Sequence, residues 1–381
     1  MGTIVFARSA CHAVVPSQSA PGRRDTRSYI RLCVAIAAVV LAAAIQVACG
    51  ASPTGEAAST AGTPLQINGA GATFPYPIYS KWFDEYRKKN PRVQINYQSI
   101  GSGGGIRQLT SQTVFFGATD GPMTDKQLAA APGRILHLPM VLGANVPIYN
   151  LPGVGTELKF TGEVLADIFL GKVTKWNDPA LAKINAGVTL PTTDITVVHR
   201  SEASGTTYIW ADFLAKASPD WKSKVGASTA LRWPVGVGGK GNEGVAGLLK
   251  QIPGSIGYVE LIYARQNKIP FGSVQNATGE FVKATPDSVT AAAAASAAQL
   301  PADFRVSITG AAGPGAYPIS SFSWMLLYED PQDKAQARAM VDFIKWALTD
   351  GQQFAAQLGY ARLPSEIVSQ ELAVLERVKV E

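Results

Sequence analysis

The sequence predicts an α/β protein made of two lobes. The chain has 381 residues, more than a single hydrophobic core usually serves. After residue 63, short segments typical of strands alternate with segments of helical periodicity. That part of the chain contains no linker long enough to separate two successive domains. We therefore expect two lobes joined by crossing chain segments.

Four short segments rich in β-branched and aromatic residues predict strands, at 93–100, 195–199, 255–261 and 323–328. Apolar residues spaced three or four positions apart predict helices around 78–86, 209–214, 245–252 and 340–347. Because strands alternate with helices, mostly parallel sheets are expected. The alanine-rich run at 291–298 follows a threonine and a proline suited to a helix start, so it predicts a surface helix.

The first 48 residues predict a secretion signal with a long leader. Arginines between residues 23 and 31 precede an uninterrupted apolar run at 32–45, which small residues follow. The run is shorter than the ~20 residues that span a bilayer as a helix. The protein is therefore expected to be exported, either to the periplasm or to the outer face of the cell membrane.

Cys49 is the only cysteine that remains once residues 1–48 are removed, which excludes a disulfide within the remaining chain. Residues 46–50 resemble the processing box of bacterial lipoproteins, in which the cysteine carries the lipid, although glutamine stands where leucine is usual. Plain cleavage near Ala48 is the alternative. Residues 49–62 are small and polar, so they predict a flexible tether that suits a membrane-anchored protein.

The charge balance argues against a nucleic-acid partner. The formal net charge is +6, but five arginines and one aspartate lie in the first 48 residues. The rest of the chain has 29 basic and 27 acidic residues, which leaves a net charge of +2. It also contains no run of lysine or arginine. Nucleic acid is therefore not an expected partner.

Three turns of small residues, each before a predicted helix, are the first indication of a binding site. They lie at 69–75, 101–105 and 204–207. The first turn of a helix presents unpaired N–H groups and the positive end of the helix dipole. Small residues there let an anion approach the backbone, and serine and threonine hydroxyls add donors. Each turn by itself is more often an ordinary helix cap without a ligand.

Two charged residues bear on whether these turns form a binding site or are ordinary helix caps. Arg200 follows the predicted strand 195–199 directly and precedes Ser204 by four positions, where its guanidinium suits an oxyanion. Asp120 begins a turn after a short apolar segment, a position in which aspartate more often caps than binds. The residues alone therefore indicate an oxyanion site around Arg200 and leave the role of Asp120 open.

Seven segments, in order along the chain, resemble the PstS family, the periplasmic phosphate-binding proteins of ABC-type phosphate importers. They are 67–82, 97–109, 117–122, 167–178, 197–208, 233–247 and 254–260. The resemblance implies a type II periplasmic-binding-protein fold, in which two α/β lobes joined by a crossover hinge enclose a ligand cleft. It implies a binding protein rather than an enzyme, with no cofactor and no metal. The implied partners are inorganic phosphate and the membrane permease of the importer, and a monomer is expected.

The resemblance places the phosphate ligands at eight positions. They are Thr73, Phe74 through its backbone N–H, Ser102, Asp120, Arg200, Ser204, Gly205 and Thr206. Glu202 stands where the family has an aspartate that pairs with the arginine, and it is expected to orient Arg200 through a longer side chain. Every ligand except Asp120 donates hydrogen bonds. Because phosphate at neutral pH still carries a proton and sulfate carries none, Asp120 is expected to select phosphate.

The two lobes are expected to share the ligands. Residues 63–140 and 317–381 would form the first lobe and residues 141–316 the second, with crossings near 137–142 and 316–320. The first lobe would contribute the four ligands from Thr73 to Asp120, and the second the four from Arg200 to Thr206. Since only the closed form brings both sets together, phosphate is expected to stabilise closure, which the importer then recognises.

Three alternative functions fit the sequence less well. A phosphatase needs a nucleophile and base or metal ligands, and none of His12, His137 and His199 stands in such a spacing. A nucleotide-binding P-loop fails at 238–241, where glycine follows the lysine, so a surface turn is expected there. A site for sulfate, molybdate or an organic phosphate stays open. Asp120 disfavours unprotonated anions, and the close loops leave little room for an organic group.

Overall fold

The computed structural model describes residues 64–381 of the chain. The predicted secretion signal at 1–48, the predicted tether at 49–62 and Cys49 lie outside the described residues. Export and lipidation therefore stay predictions. Within residues 64–381, no helix is long and apolar enough to cross a membrane.

Two strands, β4 and β11, are longer than the others. The strands are β1 (Leu65–Gly71), β2 (Val93–Ser99), β3 (Phe116–Thr119), β4 (Ile135–Asn150), β5 (Lys159–Phe160), β6 (Thr196–Arg200), β7 (Val237–Gly239), β8 (Ser255–Glu260), β9 (Ser273–Gln275), β10 (Phe281–Val282) and β11 (Ser320–Tyr328). The four predicted strands correspond to β2, β6, β8 and β11 and are confirmed.

Helices alternate with these strands through most of the chain. They are α1 (Tyr76–Lys89), α2 (Ser102–Thr110), α3 (Asp125–Ala129), α4 (Gly162–Phe169), α5 (Pro179–Ile184), α6 (Gly205–Ala217), α7 (Pro219–Lys224), α8 (Gly241–Gln251), α9 (Leu261–Gln266), α10 (Pro286–Ser296), α11 (Lys334–Leu348) and α12 (Ser365–Leu375). Short 3-10 helices lie at Ala297–Gln299, Asp350–Phe354 and Ala356–Leu358. The helices predicted from apolar spacing correspond to α1, α6, α8 and α11.

One eight-stranded sheet has the order β2-β1-β3-β11-β4-β8-β6-β7, and a small sheet has the order β10-β9-β5. In the large sheet β1 pairs in parallel with β2 and β3, and β6 pairs in parallel with β7 and β8. The central strands β4 and β11 are antiparallel to each other and to their outer neighbours. The expected mostly parallel sheet is therefore mixed, with two parallel outer parts and an antiparallel centre.

Strand β4 belongs to both parts of the large sheet. Its residues 135–144 pair with β11, and its residues 145–150 pair with β8. The change of partner falls between Ala144 and Asn145, close to the crossing predicted at 137–142. The first residue of β11, Ser320, pairs with Ala144, so both crossing segments lie side by side. The exact residues of each lobe stay a prediction.

The core is built around β4 and β11, which are buried along nearly their whole length. Helix α1 buries Ile78, Trp82 and Tyr86 on one face, as its apolar spacing predicts. The surface helix predicted in the alanine-rich run is confirmed, since Ala294 and Ala295 are exposed on one side of α10. Helix α10 buries Val289 and Ala292 among other residues, because small side chains let it pack closely against the sheet.

Candidate functional site

The predicted ligands lie where parallel strands end. Thr73 follows β1, Ser102 follows β2, Asp120 follows β3, and Arg200 is the last residue of β6. The carboxyl ends of parallel strands share one edge of a sheet, and ligands of α/β proteins bind at that edge. The topology therefore brings together residues that lie far apart in sequence.

The loop between β1 and α1 carries Thr73 and Phe74, both buried. The Tyr263 hydroxyl donates to the Thr73 carbonyl over 2.6 Å, and the Tyr360 hydroxyl donates to the Phe74 carbonyl over 2.6 Å. In a trans peptide the N–H points away from the preceding carbonyl. The bond from Tyr263 therefore turns the Phe74 N–H to the opposite side, where it is available as a donor.

Ser102 is the first residue of α2 and is fully buried. Its hydroxyl oxygen accepts from the Gly205 N–H over 3.0 Å and from the Asp120 N–H over 3.3 Å. The approach requires glycine at position 205, because a Cβ there would lie 2.5 Å from the Ser102 Oγ. One side chain thus joins the loops that carry three of the predicted ligands.

Asp120 is 1% exposed and uses only one of its two carboxylate oxygens within the protein. Ser323 Oγ donates to Oδ1 over 2.9 Å, whereas Oδ2 is buried without a partner. Burial raises the pKa of Asp120 to about 7, against the opposite effects of the Ser323 bond and the Arg200 charge. The group therefore titrates close to neutral pH.

Arg200 is buried and bonded at both ends of its guanidinium. Nε and Nη2 donate to Glu202 Oε1, the former over 3.0 Å, and Nη1 donates to Thr206 Oγ1 over 3.1 Å. Glu202 Oε1 also accepts from the Gly241 N–H over 3.1 Å. Burial opposes ionisation of Glu202, but the charge and bonds of Arg200 prevail, and the pKa of Glu202 is lowered. The longer side chain at 202 thus reaches Arg200 and holds it in place.

Ser204, Gly205 and Thr206 form the start of α6, and all three are buried. Ser204 is the N-cap, and its hydroxyl accepts from the Thr207 N–H over 3.2 Å. The first N–H groups of a helix have no partner within the helix, and the dipole there favours an anion. This end of α6 lies beside Arg200, which adds a full positive charge.

Two residues of this site, Ser323 and Asn242, were not predicted from the sequence. Ser323, which bonds Asp120, lies on β11 where the register with β4 shifts between Ser323 and Trp324. Asn242 lies in the first turn of α8, is fully buried, and donates from Nδ2 to Thr73 Oγ1 over 2.7 Å. The turn expected at 238–241 connects the end of β7 to the start of α8, with Gly238 and Lys240 exposed and Gly239 and Gly241 buried. The small residues before α8 were the sequence feature that could have indicated a role for Asn242.

The two histidines of the described part contact the backbone. His137 lies in β4, and its Nε2 accepts from the Met123 N–H over 3.1 Å. Burial lowers the pKa of His137 to about 3, so it is neutral at physiological pH. His199 Nδ1 lies 3.0 Å from the Arg200 carbonyl oxygen, and its ring stacks on Trp233. Both side chains serve the structure around the site.

Hydrogen bonds connect the predicted ligands into one cluster. Ser102 bonds Gly205 and Asp120, Arg200 bonds Thr206, and Asn242 bonds Thr73. Phe74 and Ser204 adjoin members of the cluster in the chain. Backbone N–H groups, hydroxyls and one guanidinium dominate it, which is the donor set that suits an oxyanion.

Comparisons with known proteins agree with this chemistry. The family model of the PBP superfamily domain matches residues 56–351. The phosphate-binding protein PstS of Pasteurella multocida is 46% identical over 303 residues, which cover 79% of this chain and 87% of that protein. The protein of the same name from Xylella fastidiosa (strain Temecula1) is 46% identical over 307 residues, which cover 80% of this chain and 84% of that one.

A solved structure supports the fold. The crystal structure of a phosphate-binding protein from Stenotrophomonas maltophilia matches with a TM-score of 0.62 at 18% identity, over 81% of this chain and 93% of that chain. At this identity the match concerns the fold alone. Together with the mixed sheet and its two parallel parts, it confirms the predicted type II periplasmic-binding-protein fold with two α/β lobes.

Proposed function

Because this chain belongs to the PstS family of phosphate-binding proteins, we propose that it binds inorganic phosphate and passes it to an ABC-type phosphate importer. The ligands in this proposal are the eight predicted residues at the ends of β1, β2, β3 and β6. They supply backbone N–H groups, hydroxyls and the Arg200 guanidinium. No catalytic step, cofactor or metal is part of the proposal.

The observation that carries the proposal is the free oxygen of Asp120. Asp120 is the one acidic residue among the eight proposed ligands, and its Oδ2 is a buried acceptor without a partner. An anion without protons meets that oxygen with repulsion, whereas phosphate donates a hydrogen bond to it. A mismatched polar group in a buried site lowers binding of the wrong ligand by roughly 10⁴-fold or more. One carboxylate is therefore enough to select phosphate over sulfate.

Calorimetric titration of residues 63–381 tests the function. We expect tight binding of inorganic phosphate at pH 8, where Asp120 is mostly ionised, and binding of sulfate weaker by at least about tenfold. A phosphomonoester should bind poorly, because the loops approach each other closely around Ser102 and Gly205. Sulfate binding equal to or tighter than phosphate binding would instead assign the site to another oxyanion.

We also propose that phosphate closes two lobes, 63–140 with 317–381 and 141–316. Two contacts support this, since Ser102 bonds Gly205 and Thr73 bonds Asn242 across the proposed boundary. An anion held by both sides adds its own bonds only in the closed form, so it shifts the equilibrium toward closure. The permease of the importer would then recognise the closed monomer.

Export and anchoring complete the proposal. The apolar run at 32–45 and the small residues around Cys49 support removal of a signal and attachment of a lipid to the cysteine. The small polar residues 49–62 would then tether the binding domain to the membrane surface. A tethered protein stays near the importer that it supplies.

A further inference from the structure

Asn242 lies between two of the proposed phosphate ligands. Its Nδ2 donates to Thr73 Oγ1 over 2.7 Å and to Thr206 Oγ1 over 3.4 Å, and its backbone N–H donates to Thr73 Oγ1 over 3.3 Å. The side chain is fully buried at the start of α8. Thr73 and Thr206 belong to opposite lobes in the proposed division. Asn242 is therefore in contact with both sides of the cleft.

The orientation of the Asn242 amide is determined by a backbone contact. Its Oδ1 accepts from the Glu260 N–H over 3.0 Å. A backbone N–H is always a donor, so the oxygen of the amide must face Glu260. The NH₂ group consequently faces the two threonines. It has two hydrogens and no acceptor, so it can only donate to them.

This orientation determines how both threonine hydroxyls are used. A hydroxyl has two lone pairs and one hydrogen. Thr73 Oγ1 accepts from both nitrogens of Asn242, and Thr206 Oγ1 accepts from Asn242 Nδ2 and from Arg200 Nη1. None of these donors can accept a hydrogen bond. The hydrogen of each hydroxyl is therefore left for a different partner.

Ser102 shows the same arrangement made by the backbone alone. Its hydroxyl oxygen accepts from the N–H groups of Gly205 and Asp120. Its hydrogen is free to face the Asp120 carboxylate, and a hydrogen bond from Ser102 opposes the rise in the pKa of that group. Three hydroxyls around the cleft thus have their lone pairs occupied by protein donors, and only for Thr73 and Thr206 does a side-chain amide provide the occupying groups.

We propose that Asn242 is a positioning residue that makes Thr73 and Thr206 obligate hydrogen-bond donors to the phosphate. This rests on the proposed function, because it needs an anion in the cleft. Without Asn242 each hydroxyl rotates freely among partners, and part of that freedom is lost when phosphate binds. With Asn242 in place, both hydroxyls are prepared for an oxygen that only accepts. The same amide also links the two lobes in the closed form.

Two substitutions at position 242 separate this role from simple packing. Asn242→Ala removes the donor and is expected to weaken phosphate binding about tenfold, the effect of one or two hydrogen bonds. Asn242→Asp keeps the shape but turns acceptors toward both hydroxyls, and binding is expected to weaken about 100-fold or more, since bonds to a charged group are stronger. A residue that only fills space predicts the reverse order, with the isosteric aspartate milder than alanine. That order would overturn the proposal.

A double-mutant cycle separates the hydroxyls from the added negative charge. In a Thr73→Val background one of the two hydroxyls is absent, so the loss caused by Asn242→Asp is expected to shrink to about tenfold. Charge repulsion alone predicts the same loss in both backgrounds and would contradict the inference. Should the aspartate variant fail to fold, the cycle of Asn242→Ala with Thr73→Val decides, with additive losses as the contradicting result.

Asn185 offers a matched control. It is also a buried amide, whose Nδ2 donates to the Lys159 and Leu181 carbonyls and whose Oδ1 accepts from the Lys159 N–H. It lies away from the proposed ligands, so Asn185→Asp should lower thermal stability and leave phosphate affinity within about twofold. If wild-type protein binds phosphate and Asn242→Asp binds equally well, the inference fails alone. If wild-type protein does not bind phosphate, the proposed function fails.

Discussion

The two sides of the proposed cleft hold carboxyl groups whose pKa values shift in opposite directions, namely the partly buried Glu202 and the fully buried Asp120. On the Arg200 side, Glu202 accepts from the guanidinium and from the Gly241 N–H, and its pKa is lowered. On the other side, the carboxylate of Asp120 accepts from Ser323 and has no direct ion pair, and its pKa is raised to about 7. Each of the two groups keeps one buried oxygen without a partner. The difference shows that burial alone does not decide the role of a carboxyl group.

The comparison assigns different tasks to the two sides. Glu202 is bound within the protein and serves to orient the donors of Arg200. Under the proposed function, Asp120 faces the ligand and tests whether that ligand carries a proton. We therefore expect changes on the Arg200 side to alter affinity for all oxyanions, and changes on the Asp120 side to alter the choice among them.

The largest effect is expected for Arg200→Ala. The variant removes the buried positive charge and leaves Glu202 without its partner, so phosphate affinity should fall at least about 100-fold. Sulfate affinity should fall by a similar factor. Calorimetry measures both, with Arg134→Ala as a control, because Arg134 is exposed and pairs only with Glu329 among the described residues. Near-normal phosphate binding would remove Arg200 from the site.

Asp120→Asn should change selectivity more than affinity. The amide adds a donor where the carboxylate repels unprotonated anions, so the phosphate-to-sulfate affinity ratio should fall by about 100-fold or more. Competition titrations at pH 8 measure this ratio, because Asp120 is mostly ionised there. An unchanged ratio would mean that another group selects the anion, and the two sides of the cleft would not differ as described.

The pH dependence of sulfate binding tests the role of Asp120 more directly. As the pH falls from 8 to 6, Asp120 gains a proton and stops repelling sulfate, so sulfate affinity should rise about tenfold. Sulfate keeps its charge over this range, so the change comes from the protein. Burial also raises the pKa of Glu260 near Asp120. Asp120→Asn retains Glu260, so loss of the pH dependence in that variant identifies Asp120 as the titrating group.

The raised pKa of Asp120 also determines how the free energy of unfolding changes with pH. Asp120 has a higher pKa in the folded protein than its ordinary 3.8, so the folded state binds more protons between pH 4 and 7. Its contribution therefore lowers the free energy of unfolding of the phosphate-free protein as pH rises through that window. Denaturant titrations of wild type and Asp120→Asn compare the slopes, and the variant should lose part of this decrease.

The smallest effect is expected for Ser323→Ala in the same pH experiment. Ser323 stabilises the ionised form of Asp120 through a bond of 2.9 Å. Its loss should raise the pKa of Asp120 by about half a unit to one unit, and sulfate binding should begin to strengthen at a correspondingly higher pH. Ser321→Ala is the control, since its hydroxyl contacts the Asp120 carbonyl and not the carboxylate. Equal profiles for both variants would contradict a specific role for Ser323.

Much of the fold and of the proposed site could be predicted from the sequence. The β-branched segments and the apolar spacing of α1, α6, α8 and α11 are local properties, and local patterns determined them well. The turns before α2 and α6 need small residues because other groups pass close to their backbone. At Gly205, for example, a Cβ would lie 2.5 Å from the Ser102 Oγ. The resemblance to the PstS family then indicated which residues in and near these turns are expected to bind the ligand.

Ser323 and Asn242 could not be predicted because their roles depend on long-range pairing. Ser323 meets Asp120 only because β11, some 200 residues later in the chain, lies between β3 and β4, and a register shift adjoins that serine. Asn242 meets Thr73 only because α8 begins beside the end of β1 in space.

The change of partner along β4 has a mechanical consequence. Asn145, the first residue after that change, donates from Nδ2 to the Thr206 carbonyl over 2.9 Å. Its own carbonyl accepts from the Tyr317 hydroxyl, which belongs to the second crossing segment, over 3.0 Å. The point where β4 changes partner is thus hydrogen-bonded to the helix end that we propose as part of the phosphate site. We therefore expect a lobe movement at this point to displace Thr206 directly, which would couple opening to release of the bound anion.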